Sequence, residues 1–410
     1  MQFPQLYFYF TGKGFLVWRA IKRGTSMKIQ SEAKFTLAES ISMIVGNSIG
    51  TGIIAVPFLA TKNNLIDVFW MVALAYCINV ILHLIIAELS YNNGGKQLVK
   101  SFEGELFTGK SKKAMSWLMF AVYGLAIIVG ISGNINGGAQ IIEAWLNVPF
   151  ALAQCIYYML AGSVVFMGMK AVGIAQKYSV LTLIGIVGIM SVATYIRPLN
   201  VLYEVPRFAN NMLALFSMIV FATSANQAVI QSVKGLEGDV KKIRISIFIG
   251  FAISSIFVLL VTSSVLLGVK GTLDKEMAYM TLGKSIGPWA AILASVFSLF
   301  ALLTTFWSNT LCLRDVVHEQ IGLDNRICWL LATLPSLLFA VFGVSSFIVL
   351  TRIMSGVVVL VAIMLIFTYN KSRKKMGSSP ICGIWGSVPF QALMVTSTIV
   401  CAVGSMIPLR

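Results

Sequence analysis

Long apolar stretches follow one another along this chain, separated by short polar connections. About eleven of them reach the length that carries an α-helix across a bilayer. They lie near 37–60, 66–90, 115–142, 150–169, 173–196, 211–232, 245–268, 287–312, 328–345, 347–369 and 386–407. The third is long enough to require tilt or an extension beyond the hydrocarbon. Gly343-Val344-Ser345-Ser346 divides the stretch 328–369 and predicts a helical hairpin there.

Two of these spans are interrupted at their centres. Leu37 to Ala60 contains Gly46-Asn47-Ser48-Ile49-Gly50-Thr51-Gly52, with Pro57 beyond it. The stretch from Asn211 to Ser232 contains Ala222-Thr223-Ser224-Ala225-Asn226 in the same central place. Unwound backbone is tolerated in a bilayer only where protein or a water-filled cavity surrounds it. The broken spans are the first and the sixth, a period of five. An odd number of spans per repeat reverses the orientation of the second half. The expected architecture is therefore an all-α integral membrane protein with a 5+5 inverted repeat and an appended eleventh helix. A pair of interrupted helices in matching positions points to the midplane binding site of a secondary transporter.

Composition narrows the class. An apolar fraction of 58% with only 11% charged residues excludes an ordinary soluble domain. The net charge of +16 is not spread as a nucleic-acid surface requires. Most Lys and Arg sit in alternate connections, such as Lys96 to Lys113, Lys234 to Arg244 and Lys371 to Lys375. By the positive-inside rule this places the N-terminus in the cytoplasm and the C-terminus outside. The six cysteines show no CxxC spacing and read as packing thiols, with no metal site. The first 26 residues are aromatic-rich and lack a signal-peptide cleavage site. They form either an interfacial basic segment or a stretch upstream of a start at Met27. The chain then divides into 1–34, a ten-helix core at 35–370, and a loop with the eleventh helix at 371–410.

The breaks carry the candidate chemistry. If the first helix restarts near Ile53, the N–H groups of about Thr51 to Ile54 lack intrahelical partners. They face the midplane with the positive end of a helix dipole, which suits a carboxylate. Asn47, Ser48 and Thr51 add side-chain hydrogen bonds, and Gly50 and Gly52 allow close approach. At the second break, carbonyls at the C-terminal end of the preceding half-helix would receive an ammonium group. A zwitterionic α-amino acid matches both ends.

Gly46-Asn-Ser-Ile-Gly-Thr-Gly-Ile-Ile-Ala-Val-Pro57 resembles the first-helix motif of permeases in the amino acid–polyamine–organocation superfamily. The likeness points to the amino acid/auxin and hydroxy/aromatic amino-acid permease branches. Ile219 to Gln227 with Lys241-Lys-Ile-Arg244, and Phe300 to Phe306 with Leu313-Arg-Asp315, resemble their sixth and eighth helices. The resemblance covers most of 35–370 and implies a LeuT-like fold. It implies a substrate site between helices one, three, six and eight. Carried over, the site comprises Asn47, Ser48, Gly50, Thr51, Gly52, Gly130, Gly133, Asn134, Ala222, Thr223, Ser224 and Asn226. It also implies a coupling cation, sodium or a proton, near Thr304, Thr305 and the carbonyls of Gly46 and Ile49. Back-bonding of the hydroxyls to their own helix is the competing role. The lysine that some proton-coupled relatives carry deep in helix five is absent from Leu183 to Gly188, and Lys177 lies near the cytoplasmic mouth.

Ionisable residues inside apolar spans should face protein or water. Glu39 and Glu88 are candidates for an inner gate or a coupling proton, and Arg352 for an outer gate; a structural ion pair is the alternative for each. His83 is the remaining ionisable residue in span two. No GxxxxGK[ST] occurs, and His83 and His318 are far apart, so neither an ATP-driven pump nor an enzyme is expected. No cofactor is expected. The partners are an amino acid, the cation and the lipid bilayer. The rival function is a membrane amino-acid sensor.

Overall fold

A computed structural model describes residues 29, 31–200, 205–269, 278–343 and 347–407, with only the backbone given for Thr51 and 347–357. The segment 1–26, residues 344–346 of the expected hairpin connection and the Arg352 side chain lie outside the described residues. The helices are α1 (Leu37–Ser48), α2 (Thr51–Ala60), α3 (Leu65–Asn92), α4 (Leu98–Glu105), α5 (Lys112–Leu146), α6 (Phe150–Phe166) and α7 (Met169–Ile196). After them come α8 (Ala209–Ala222), α9 (Asn226–Gly235), α10 (Val240–Gly268), α11 (Ala278–Ile286) and α12 (Pro288–Ile321). The chain closes with α13 (Asn325–Phe342), α14 (Phe347–Met376), a 3-10 turn (Gly383–Gly386) and α15 (Val388–Met406).

Among the described residues, each of the eleven expected spans is largely helical. Among the described residues eight helices are long and apolar enough to cross a membrane, and α1 with α2 forms a ninth, bent by 51°. The shorter α6 and the 30-residue α14 occupy the fourth and tenth places. At 35 residues α5 extends past the hydrophobic stretch at both ends. The C-terminal end of α12 does the same; it carries Arg314, Asp315 and Glu319 in its last turns and stops at Gly322 in the left-handed region (φ 79°). Polar residues can continue a helix beyond the bilayer, so hydropathy underestimates its length. The short α4 and α11 were not expected, because neither is apolar enough to signal a span.

Local chemistry sets the helix starts. Thr36 and Glu39 form a reciprocal capping box at the head of α1, each satisfying an amide of the other's turn. Asp239 caps α10 by accepting from the Lys242 amide. Pro288 opens α12 where its missing N–H is not needed.

Packing inverts the soluble pattern. Large apolar side chains such as Leu160, Leu181 and Ile196 are exposed, while Asn79, His83, Gln176 and Thr304 are fully buried. The buried apolar residues separate into two clusters. One contains Ile44, Ala225, Phe251 and Phe306. The other contains Val45, Ile49, Ala222, Phe257 and Ala301. The division passes between Ile44 and Val45 and between Ala222 and Ala225, at the two breaks. A polar layer at mid-depth therefore splits the apolar core. Within it α1 packs on α9 and α2 on α8, as an inverted repeat requires. The eleventh helix, α15, lies along α8, where Ser217 donates to the Cys401 carbonyl at 2.7 Å.

Candidate functional site

The first break is short. The amide of Ile49 still bonds to the Val45 carbonyl, and Gly50 leaves helical geometry (φ −114°, ψ −146°). No side chain caps α2, so its first amides present the positive end of the helix to the break. A Cβ on Gly50 would lie 2.4 Å from the Thr305 hydroxyl, and one on Gly52 would lie 2.6 Å from the Ala222 Cα. The two broken helices thus touch at their interruptions.

The second break runs over Thr223–Ala225 without a bend as sharp as the first, and α8 and α9 continue as one 27-residue span. The Ser224 amide bonds to Phe221, not Val220, and the Ala225 amide leaves the helix altogether. Asn226 opens α9 with its side-chain oxygen buried and without a partner.

The expected ligand-binding residues divide into those brought together and those turned elsewhere. Asn47 donates to the Asn309 oxygen at 3.2 Å, and its own Oδ1 is buried and unpartnered. Gly130 stands beside the Asn309 amide nitrogen, 3.6 Å from where its Cβ would be. Asn134 is buried with its Nδ2 unpartnered, and Gly133 precedes it on the same helix. Ser48 and Thr223 turn inward: Ser48 donates to Ile44 O at 2.9 Å and Thr223 to Ile219 O at 2.8 Å. Both hydroxyls serve the helix, the usual outcome for Ser and Thr in apolar surroundings.

The coupling set is likewise divided. The Thr305 hydroxyl lies 3.1 Å from Ala301 O of its own helix and 3.3 Å from Gly46 O, whereas Thr304 donates only back, to Phe300 and Ala301, both at 3.0 Å. The Ile49 carbonyl receives neither hydroxyl among the described bonds. Between them stands Gln176 of α7, which composition did not single out. Its Nε2 donates to Thr304 O at 2.6 Å and to the Ser308 hydroxyl at 2.9 Å. Its Oε1 is buried, unpartnered and pressed against Gly46, where a Cβ would lie 1.9 Å away. The unpartnered Gln176 oxygen, Gly46 O and the Thr305 hydroxyl are hard-oxygen donors suited to an alkali cation.

Glu39 and Glu88 belong to separate networks. Glu39 pairs with Lys170 at 2.7 Å beside its capping role. Glu88 accepts from the amides of Ile381 and Cys382 at 2.8 and 2.7 Å, fastening the connection between α14 and α15. A larger charge cluster, Lys234, Arg314, Asp315 and Glu319, joins the end of α9 to the last turns of α12. Lys234 holds Asp315 at 2.8 Å and Glu319 at 3.1 Å, and Arg314 joins Asp315 to Glu32. Phe35 closes the same end. Cβ atoms on Gly173 and Gly235 would lie 2.7 and 2.2 Å from its ring.

Asn309, Gln176, Asn79 and His83 are the polar groups of the mid-depth layer that the motif resemblance did not supply. The sequence did hold a signal for them. Each is an amide or imidazole inside an otherwise apolar helix, and Asn79 and His83 stand four residues apart on one face.

No family model matches the chain, and no curated protein matches it. Among solved structures it is similar to Mhp1, a nucleobase-cation-symport-1 family transporter in a closed conformation with bromovinylhydantoin bound. The TM-score is 0.64 at 11% identity, over 94% of this chain and 95% of that one. At that identity the likeness is one of fold. Together with the apolar spans and the paired breaks, it makes the chain an all-α, multi-pass integral membrane protein with the LeuT-like inverted-repeat architecture.

Proposed function

We propose that this protein is a secondary active transporter of amino acids, driven by a coupling cation and working by alternating access around the two breaks. The observation that carries this reading is the meeting of Gly52 and Ala222 at mid-depth. It sets the bare amides of α2 beside the end of α8, with the unpartnered oxygens of Asn47 and Asn226 close by in sequence. A carboxylate and an ammonium group need such opposed partial charges. Asn309 joins the substrate residues Asn47, Gly130 and Asn134, and neutral amides there suit a neutral, hydrogen-bonding side chain. Gly46, Thr305 and Gln176 supply the oxygens for a coupling ion, sodium or a proton. The closure by Phe35 and Lys234 lies on the face that the basic connections assign to the cytoplasm, with the C-terminus outside.

Uptake into proteoliposomes tests the proposal. The panel covers the amino acids and a hydantoin, with sodium and pH gradients imposed separately. Accumulation of an amino acid against its gradient is the expected result. Accumulation of the hydantoin alone would reassign the substrate to cyclic amides. Saturable binding without flux would make the protein a sensor, and product formation an enzyme.

A further inference from the structure

The second break is held open from outside. In a continuous helix the Ser224 amide would bond to Val220 O and the Ala225 amide to Phe221 O. Neither bond is present, and α3 takes over both orphaned groups. Asn79 donates its amide to Val220 O at 3.1 Å and to the Thr223 hydroxyl at 2.8 Å. His83, one turn along the same face, accepts the Ala225 amide on Nε2 at 3.0 Å. Its other nitrogen, Nδ1, meets the Asn79 carbonyl at 2.6 Å. Asn79, His83, Thr223 and Ala225 are all fully buried, so water cannot stand in for any of these bonds.

The partners fix the proton. A carbonyl only accepts, so Nδ1 carries the hydrogen. A backbone amide only donates, so Nε2 is bare. A second proton would set an N–H against an N–H and expel Ala225. The Phe251 ring of α10 covers the imidazole at 4.4 Å between centroids. Most titratable groups on the elements packed against α3 are engaged elsewhere: Arg373 of α14 donates to Gly386 O, and Lys371 and Lys374 lie in the closing turns of α14. Lys234 holds Asp315 and Glu319, and Tyr369 meets Ser379. Glu105 pairs with Lys375, and Glu103 with Lys100. Glu88, on α3 itself, takes the Ile381 and Cys382 amides. Lys241, Lys242 and Arg244 occupy the opening turns of α10, about two turns before Phe251. Cys401 of α15 lies beside Ser217 of α8.

We infer that Asn79 and His83 are positioning residues that keep 223–225 unwound, with His83 acting as the neutral, Nδ1-protonated tautomer. Because Gly52 rests on Ala222, the same pair sets where the two broken helices meet. The consequence for uptake rests on the transport reading; the clamp itself does not.

Nitrogen-15 NMR of histidine-labelled full-length protein in bilayers decides the tautomer. The chain has two histidines, and His318→Asn leaves only His83. The expected spectrum shows a protonated Nδ1 and a bare Nε2, unchanged between about pH 5 and 8, where a free imidazole would titrate. An Nε2-protonated ring or an imidazolium in that window would overturn the inference. Hydrogen exchange of the 219–229 segment is the second arm. His83→Phe should speed exchange at Ala225 by about tenfold, and His83→Gln, whose amide oxygen can still accept, should restore most of the protection. Equal exchange in all three proteins would overturn the clamp. In uptake, His83→Phe should raise the half-saturating substrate concentration by about tenfold and His83→Gln by less than about threefold. If the first two arms hold and no uptake is seen in any protein, the transport reading fails and the clamp stands. If His83→Phe does not fold, the wild-type tautomer decides alone.

Discussion

Gly52 and Ala222 lie in contact across 170 positions of sequence, so close that a Cβ on the glycine would sit 2.6 Å from the Ala222 Cα and 2.9 Å from its Cβ. The backbone of one broken helix therefore rests directly on the other. Gly52→Val should force the helices apart. Overpacking of this kind costs about 1–3 kcal/mol. Thermal unfolding in detergent should register that loss, and uptake should vanish while membrane insertion is retained. Normal uptake by Gly52→Val would mean that the contact does not form the site.

Gly50 offers a companion test one step into the break. A side chain there meets the Thr305 hydroxyl, which is itself bonded to Gly46. Gly50→Leu should abolish substrate binding with the protein still inserted, as measured by ligand-induced thermal stabilisation.

Phe35 fills the notch between Gly173 and Gly235 and is 3% exposed. Its amide also bonds to Gly235 O at 2.7 Å. Phe35→Ala removes the ring and should cost about 3–5 kcal/mol of packing. That end of the bundle should then open, so that the amides of 228–235 exchange faster with solvent in Phe35→Ala than in the wild type. An unchanged exchange rate would show that Phe35 is not the seal.

Lys234 stands between two carboxylates, Asp315 and Glu319, with all three largely shielded from water. Lys234→Ala leaves buried negative charge without its partner and should cost about 3–5 kcal/mol. Adding Glu319→Gln should recover part of that loss, because Asp315 keeps Arg314 as its partner and the charge left without a cation is that of Glu319. A double-mutant cycle on thermal stability measures the coupling. Additive losses would mean that the pair does not interact.

Gln176 joins α7 to α12 and faces Gly46 of α1. Gln176→Leu removes the amide that bonds the Thr304 carbonyl and the Ser308 hydroxyl, and with it the unpartnered oxygen beside Gly46. The half-saturating concentration of the coupling cation should rise by about tenfold, with a smaller change in the substrate term at saturating cation. Equal shifts in both would assign Gln176 to general packing.

The hydropathy of successive segments was enough to place every span in helix. The glycines and small polar residues at 46–52 and 222–226 located both breaks, because a bilayer leaves a local sequence few alternatives to an unbroken helix. The same local signal gave the repeat period of five, but the helix restarts at Thr51, two residues before the expected Ile53. That signal could not say which way a side chain turns. Ser48 and Thr223 look identical to ligand hydroxyls in sequence, yet each bonds within its own half-helix. Asn79 finds Thr223 at a separation of 144 residues, and Gln176 finds Thr304 at 128. Glu39 and Glu88 joined different networks for the same reason. A buried hydrogen bond in lipid is decided by whichever group the packed helices bring within 3 Å, and that proximity exists only once the chain has folded.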